Sequence, residues 1–100
     1  MELTTKQKLF LKTKAHDLKP VVMIGQKGVT ETVITEIITS IEHHELLKIK
    51  INSEDREQKE EIAQYIAEQT GSEIVQLMGK NLTLFKQNKK KSKFSLPKDK

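Results

Sequence analysis

The sequence contains no cysteine, no tryptophan and only four aromatic rings in its 100 residues. The lack of cysteine excludes disulfides, thiolate metal sites and cysteine nucleophiles, and it is typical of a reducing compartment. No segment approaches the ~20 consecutive apolar residues of a membrane span, and the first residues do not resemble a secretory leader. We therefore expect one small cytoplasmic domain with a single modest core.

The net charge of +4 is the sum of basic and acidic segments that are separated along the chain. Residues 1–30 have six basic and two acidic side chains, and residues 86–100 have seven and one. Residues 31–85 instead have five basic and eleven acidic side chains. Two basic ends favour a polyanionic partner that contacts both of them, although solvated lysine-rich ends would give the same count.

The most informative motif is Gly25-Gln26-Lys27-Gly28, which follows an apolar run and precedes a predicted helix. Two glycines remove the Cβ atoms that would keep a bulky anion away from the backbone. The start of the following helix offers amide groups and the positive end of its dipole, which also favour an anion. A nucleic-acid backbone is therefore the leading ligand, and a turn that uses glycine for shape alone is the alternative.

The first helix is predicted from its start signal and its apolar spacing. Thr4-Thr5-Lys6-Gln7 has the pattern of a capping box. Leu11, Ala15 and Leu18 follow at helical spacing and predict one apolar stripe. Lys19-Pro20 is expected to end this helix, because the residue before proline avoids the α region.

The next segments predict strand, helix and strand. The apolar run 21–24 indicates a strand covered on both faces. Thr30 is a plausible N-cap for an amphipathic second helix. Residues 46–51 alternate in polarity and predict a half-exposed strand, with Lys48 and Lys50 on its polar side.

The last third of the chain predicts a helix followed by a hairpin. Ser53 can cap the third helix, and Gly71 can stop it. Two short apolar strands follow at residues 74–78 and 82–85, separated by the turn-prone Gly79-Lys80-Asn81.

Together these elements predict an α/β (α+β sandwich) fold with the order αβαβαββ. Right-handed crossovers would make the strands joined through helices parallel, and the hairpin would make the sheet mixed. We expect four strands with three helices packed on them in residues 1–86. Residues 87–100 lack core-forming periodicity and repel one another by charge, so they are expected to form a basic flexible tail.

Several runs together form a recognisable sequence pattern. They are Gln7-Lys8-Leu9-Phe10-Leu11-Lys12, the segment 15–25, Gly28-Val29-Thr30-Glu31, the segment 42–51, Thr70-Gly71 and the segment 75–80. In these runs, which span nearly the whole chain, the sequence resembles the YhbY family of stand-alone bacterial CRM domains, where CRM stands for chloroplast RNA splicing and ribosome maturation. Small departures from that family's pattern are Val29 in place of leucine and Phe85-Lys86 in place of tyrosine and arginine.

The resemblance implies a fold similar to the C-terminal domain of translation initiation factor three. It also implies an RNA-binding factor of large ribosomal subunit assembly, whose partner would be ribosomal RNA or a pre-ribosomal particle. The family contacts RNA through its GxxG loop and a neighbouring basic helix. Carried over to this sequence, the expected RNA-binding residues are Gly25, Gln26, Lys27, Gly28, Lys6, Lys8, Lys12, Lys14, Lys19 and Thr30.

No arrangement of residues indicates catalysis, so we expect no enzyme activity, no cofactor and no metal. Acidic residues 54–61 alternate with basic ones, which is typical of a solvated helical face. The single glycine motif lacks the P-loop and dinucleotide patterns. His43 and His44 point about 100° apart on a helix and do not form a metal-binding pair.

Other interpretations stay open. The basic ends could bind an acidic protein, which would make the chain a protein-interaction adaptor. Binding to duplex DNA is less favoured, because no major-groove recognition helix is apparent. His16 could contact RNA or cap its own helix, and Phe10 could lie near RNA or in the core. Nothing in the sequence demands more than a monomer.

Overall fold

The chain forms a four-stranded sheet with one helix on one face and two helices on the other. The computed structural model describes residues 3–25 and 28–87. Within them, the elements are α1 (Thr5–Ala15), β1 (Pro20–Ile24), α2 (Glu31–His44), β2 (Leu46–Ile51), α3 (Arg56–Thr70), β3 (Glu73–Met78) and β4 (Asn81–Phe85). The predicted order αβαβαββ is confirmed.

The sheet is mixed, as the crossovers and the hairpin predict. Its strand order is β1-β2-β4-β3. β1 and β2 pair in parallel, whereas β4 pairs antiparallel to both β2 and β3. β4 therefore lies between the two strands that α3 connects.

The larger core lies between the sheet and the helices α2 and α3. Alternate residues of β2 point into it, and Leu47, Ile49 and Ile51 are almost completely buried. Ile37 and Ile41 of α2 and Ile66 of α3 pack against the same cluster. Burial of apolar surface at roughly 25 cal/mol per Å² makes this cluster the main source of stability.

A smaller core on the opposite face holds α1 against one end of the sheet. Leu11 and Ala15 of α1 pack with Leu46, Val75 and Phe85. Leu46 begins β2 and Phe85 ends β4, so α1 covers only the end of the sheet where β2 starts. None of the helices in the described residues covers the rest of this face.

This partial cover corrects the expectation that β1 is buried on both faces. Val22 and Ile24 are buried in the larger core, but Val21 is 50% exposed and Met23 is 61% exposed. The apolar run 21–24 gives no alternation in polarity, and for that reason the sequence could not reveal that one side of β1 faces solvent.

Two helix boundaries also differ from the sequence expectation. α1 ends at Ala15 rather than continuing to Lys19, and Leu18 is 39% exposed instead of extending the apolar stripe. At α3 the N-cap is Asp55, whose carboxylate accepts from the amides of Glu57 and Gln58. Asp55 is two residues closer to the helix than Ser53 and carries a negative charge, which favours it as the cap.

Other predicted boundaries are confirmed. Thr4 and Gln7 form a reciprocal capping box at the start of α1. Gly71 ends α3 in the left-handed conformation, with φ of 66°. Gly79 and Lys80 form the turn of the β3–β4 hairpin. Of the expected tail, only Gln87 lies within the described residues.

The docking of α1 can be tested by shortening one buried side chain. Leu11 is completely buried, so Leu11→Ala should lower the free energy of unfolding by about 2–5 kcal/mol. Leu9 lies on the same helix and is 64% exposed, so Leu9→Ala should change it by no more than about 0.5 kcal/mol. Urea denaturation of both variants measures this difference, and equal losses would contradict the assigned packing of α1.

Candidate nucleic-acid interface

The glycine motif forms a loop whose two ends are fixed by the larger core. Ile24, immediately before it, is buried, and its carbonyl accepts a 2.9 Å hydrogen bond from the amide of Asn52. Val29, immediately after it, packs against the larger core. The amide of Gly28 donates to the carbonyl of Gly25 across 3.1 Å, which closes the loop. Gln26 and Lys27, at its centre, lie outside the described residues.

The two glycines of this loop have different structural requirements. Gly28 has φ of 76°, a conformation that residues with a side chain rarely adopt. Gly25 has no such requirement, because it is not among the residues with positive φ. A Cβ atom added at either glycine would meet no atom within 4 Å. Protein packing therefore gives no reason for glycine at position 25.

The start of α2 lies directly behind the loop. Thr30 is its N-cap, and the Thr30 hydroxyl oxygen accepts from the amide of Val33 at 3.2 Å. The amide of Ile34 donates to the carbonyl of Thr30. The amides of the first helical turn and the helix dipole favour an anion here, although the Glu31 carboxylate in that turn offsets part of this effect.

The lysines of α1 lie away from the loop and divide between two sides of the helix. Lys8 lines a groove of about 800 Å³ between α3 and β3, whose lining includes Gln76 of β3 and the acidic residues Glu57, Glu60, Glu61 and Glu68 of α3. Lys12, one turn further along α1, shares the side of Lys8, because residues four apart lie on the same side of a helix. Through this groove, the side of α1 that carries Lys8 meets Gln76, at the β3 edge of the uncovered part of the sheet.

The other side of α1 carries Lys14 and Phe10. The Lys14 ammonium lies 5.4 Å from the centre of the Phe10 ring, which indicates a cation–π contact. Phe10 is partly buried and packs against the smaller core, so the structure favours the core interpretation of this ring. Lys6 shares this side by helical spacing.

The segment that joins α1 to β1 contacts the sheet through its backbone. The amide of His16 donates to the carbonyl of Thr13 and caps α1. The carbonyl of His16 accepts from the Lys48 ammonium at 3.5 Å. Lys19 is exposed at the start of β1. The predicted site residues therefore form two groups, at opposite ends of β1 and β2.

Sequence reasoning missed the residues between these two groups. Lys48 and Lys50 point to the uncovered face of the sheet, since Leu47, Ile49 and Ile51 point into the larger core. The signal that could have identified them was the alternation of polarity in β2, which the sequence shows. Their position beside α1 and the loop follows from the strand order, which the sequence alone did not fix.

Some structural features bear on other classes of site. In residues 3–25 and 28–87, no group of three or more histidine, cysteine or acidic side chains could hold a metal ion. The rings of His43 and His44 are 5.7 Å apart and nearly perpendicular. No described helix is long and apolar enough to cross a membrane.

Comparison with known proteins identifies the class to which this fold and loop belong. Residues 3–86 match the CRS1/YhbY (CRM) domain. The chain therefore belongs to the CRS1/YhbY (CRM) domain family, as the sequence resemblance suggested.

Individual relatives span nearly the full chain. A Haemophilus influenzae protein named RNA-binding protein is 45% identical, over 95% of this chain and 95% of its own length. YqeI of Bacillus subtilis, named a probable RNA-binding protein, is 35% identical over 95% of this chain and 99% of its own. The solution structure of SAV1595 from Staphylococcus aureus, described as a candidate RNA-binding protein, matches with a TM-score of 0.84 and 33% identity. It covers 96% of this chain and 100% of its own.

Because only Gly28 of the two loop glycines has a positive φ, replacing each of them with alanine should change the free energy of unfolding differently. Gly28→Ala should lower the free energy of unfolding by about 1–2 kcal/mol, because of its positive φ. Gly25→Ala should leave it unchanged or raise it by up to about 1 kcal/mol, because alanine restricts the unfolded chain. Thermal or urea unfolding provides the measurement.

Gly71→Ala, at the end of α3, is the matched control for strain. Gly71 has φ of 66° and lies at the other end of the molecule from the loop, so its alanine variant should lose as much stability as Gly28→Ala. If Gly25→Ala were as destabilising as these two variants, the distinction between the loop glycines would be wrong.

Proposed function

We propose that this protein is a non-enzymatic RNA-binding protein that contacts the backbone of structured ribosomal RNA through the Gly25–Gly28 loop. Membership of the CRM family and relatives named for RNA binding support RNA as the partner. The resemblance to single-domain bacterial members supports a role in large ribosomal subunit assembly. On this proposal the protein acts as a monomer in the cytoplasm.

The observation that carries the proposal is the glycine at position 25. Neither positive φ nor neighbouring atoms require glycine there, yet the loop begins with one. A missing Cβ at a solvent-facing loop allows close approach of another molecule to the backbone. Together with Lys27 and the start of α2, this arrangement favours a phosphate group as the nearest part of the ligand.

Charge and the scarcity of aromatic rings indicate how the RNA is recognised. Only four aromatic residues are present, and Phe10 and Phe85 contribute to the smaller core. Stacking on aromatic rings is therefore a minor mode for this protein. Lysines that neutralise phosphates should supply most of the affinity, and such binding weakens steeply with salt.

The loop can be tested with Gln26→Asp combined with Lys27→Asp, measured on tiled fragments of large-subunit ribosomal RNA. We expect the wild type to bind at least one fragment. The double variant should bind it at least ten-fold more weakly at 0.15 M salt, because two new carboxylates would repel the phosphate backbone. Circular dichroism should show an unchanged fold, since both substitutions fall between the end of β1 at Ile24 and the start of α2 at Glu31.

The matched control places the same charge changes on exposed residues of α3. Arg56→Asp combined with Gln69→Asp alters two exposed residues and should leave affinity within about two-fold. Equal weakening by both double variants would indicate a general charge effect rather than a loop contact. If the wild type bound no RNA fragment and sedimented apart from large-subunit precursors at low salt, an adaptor for an acidic protein would replace this proposal.

A further inference from the structure

The uncovered part of the sheet lies between the two groups of predicted RNA-binding residues. α1 packs where β2 begins, at Leu46, and the glycine loop lies beyond Ile24, which pairs with Ile51 at the end of β2. Five residue steps separate Leu46 from Ile51, or roughly 17 Å along the strand. A ligand that touches both the loop and α1 has to span this distance, and the uncovered part of the sheet lies between them.

We define the open sheet face by two rows of side chains that cross all four strands. In the row next to the loop, Met23 is opposite Lys50, Lys50 is opposite Asn81, and Asn81 is opposite Met78. In the row next to α1, Lys48 is opposite Thr83, whose side chain is buried, and Thr83 is opposite Gln76. Pro20 is the partner of Lys48 on β1, and Val21, which follows it at an irregularity in the pairing, is the exposed residue that we count in the second row.

The composition of this open sheet face favours RNA over protein. None of its eight residues is acidic, and two are lysines, whereas residues 31–85 as a whole carry an excess of acidic side chains. Lys8 reaches its β3 edge, where it shares a groove with Gln76 and with acidic residues of α3, and Lys12 lies one turn further along the same side of α1. A surface with positive charge and no acidic residue is complementary to a polyanion.

The apolar residues of the open sheet face indicate which form of RNA it suits. Met23, Val21 and Met78 are 61%, 50% and 65% exposed. A duplex would present mainly phosphates and 2′-hydroxyls to such a surface, because its bases are stacked inside. Unpaired nucleotides can place their base faces on methionine side chains, which are polarizable and adapt to aromatic surfaces.

We propose that the open sheet face binds a single-stranded RNA segment that continues from the backbone held at the Gly25–Gly28 loop toward Lys12. Lys48 and Lys50, about 7 Å apart on one strand, contact its phosphates. Met23 and Met78 contact its bases. This inference rests on the proposed function, because it extends the loop site to a second part of the same RNA.

The experiment uses two versions of the tightest ribosomal RNA fragment found with the loop test. One version is trimmed to its paired stem, and the other keeps that stem with eight unpaired nucleotides added. Affinity is measured for each across a salt series. We expect the wild type to bind the extended RNA at least ten-fold more tightly than the stem.

Lys48→Gln combined with Lys50→Gln should abolish this advantage. The slope of log affinity against log salt on the extended RNA should become shallower by about 1.4, since each single-strand phosphate contact contributes roughly 0.7. Affinity for the stem alone should stay within two-fold. Because Lys48 also bonds the carbonyl of His16, Lys50→Gln alone is measured as well, with half the expected change in slope.

Two further comparisons separate charge from apolar contact. Lys12→Gln should weaken binding of the extended RNA, whereas Lys12→Arg keeps the positive charge at the same position and should not. Met23→Ala with Met78→Ala should weaken it about four-fold or more with an unchanged salt slope, because neither side chain is charged. Leu9→Ala, at an equally exposed position on α1, is the control for these apolar changes.

The outcomes distinguish this inference from the function on which it rests. If the wild type binds both RNAs equally, or if the lysine and methionine variants retain the preference for the extended RNA, the open sheet face does not bind RNA and the loop proposal stands. Failure of the wild type to bind any of these RNAs would overturn both. Selective loss of a protein partner by the methionine variants, with RNA binding unchanged, would assign the face to protein.

Discussion

The alternation of side chains along β2 determines both what this protein buries and what it exposes. Leu47, Ile49 and Ile51 join the core under α2 and α3. On the other side, Leu46 is covered by α1, whereas Lys48 and Lys50 are not. Because β2 is central in the sheet, this one pattern separates a fully covered face from a face that is only half covered.

Most of the fold could be predicted from sequence because its signals are local. The capping box of α1, the alternation of β2, Gly71 and the Gly79-Lys80 turn each act over a few residues, and the structure agrees with each. Helix boundaries at which neighbouring residues compete for the same role could not be predicted from the sequence. Asp55, rather than Ser53, caps α3, and no residue near Ala15 indicates in the sequence that α1 ends there.

The arrangement of the candidate site depends on long-range placement, and the sequence could not supply it. Lysines that are close in sequence, such as Lys12 and Lys14, lie on different sides of α1. Lysines that are distant in sequence, such as Lys12 and Lys48, lie on or beside one surface. Which lysines lie together depends on the face of the sheet against which α1 packs. α1 packs on the face opposite to α2 and α3, against the apolar residues of the smaller core.

Glycine in a loop can adopt a backbone conformation that other residues avoid, it can leave space for a ligand next to the backbone, or it can do both. In this loop only the second glycine has a conformation that favours glycine. Gly28 has a conformation that glycine adopts easily, so the fold alone accounts for it. Gly25 has neither that conformation nor a close neighbour, so the fold alone does not account for it. The sequence does not distinguish the two glycines, and only the backbone geometry shows that the fold itself does not require the first one.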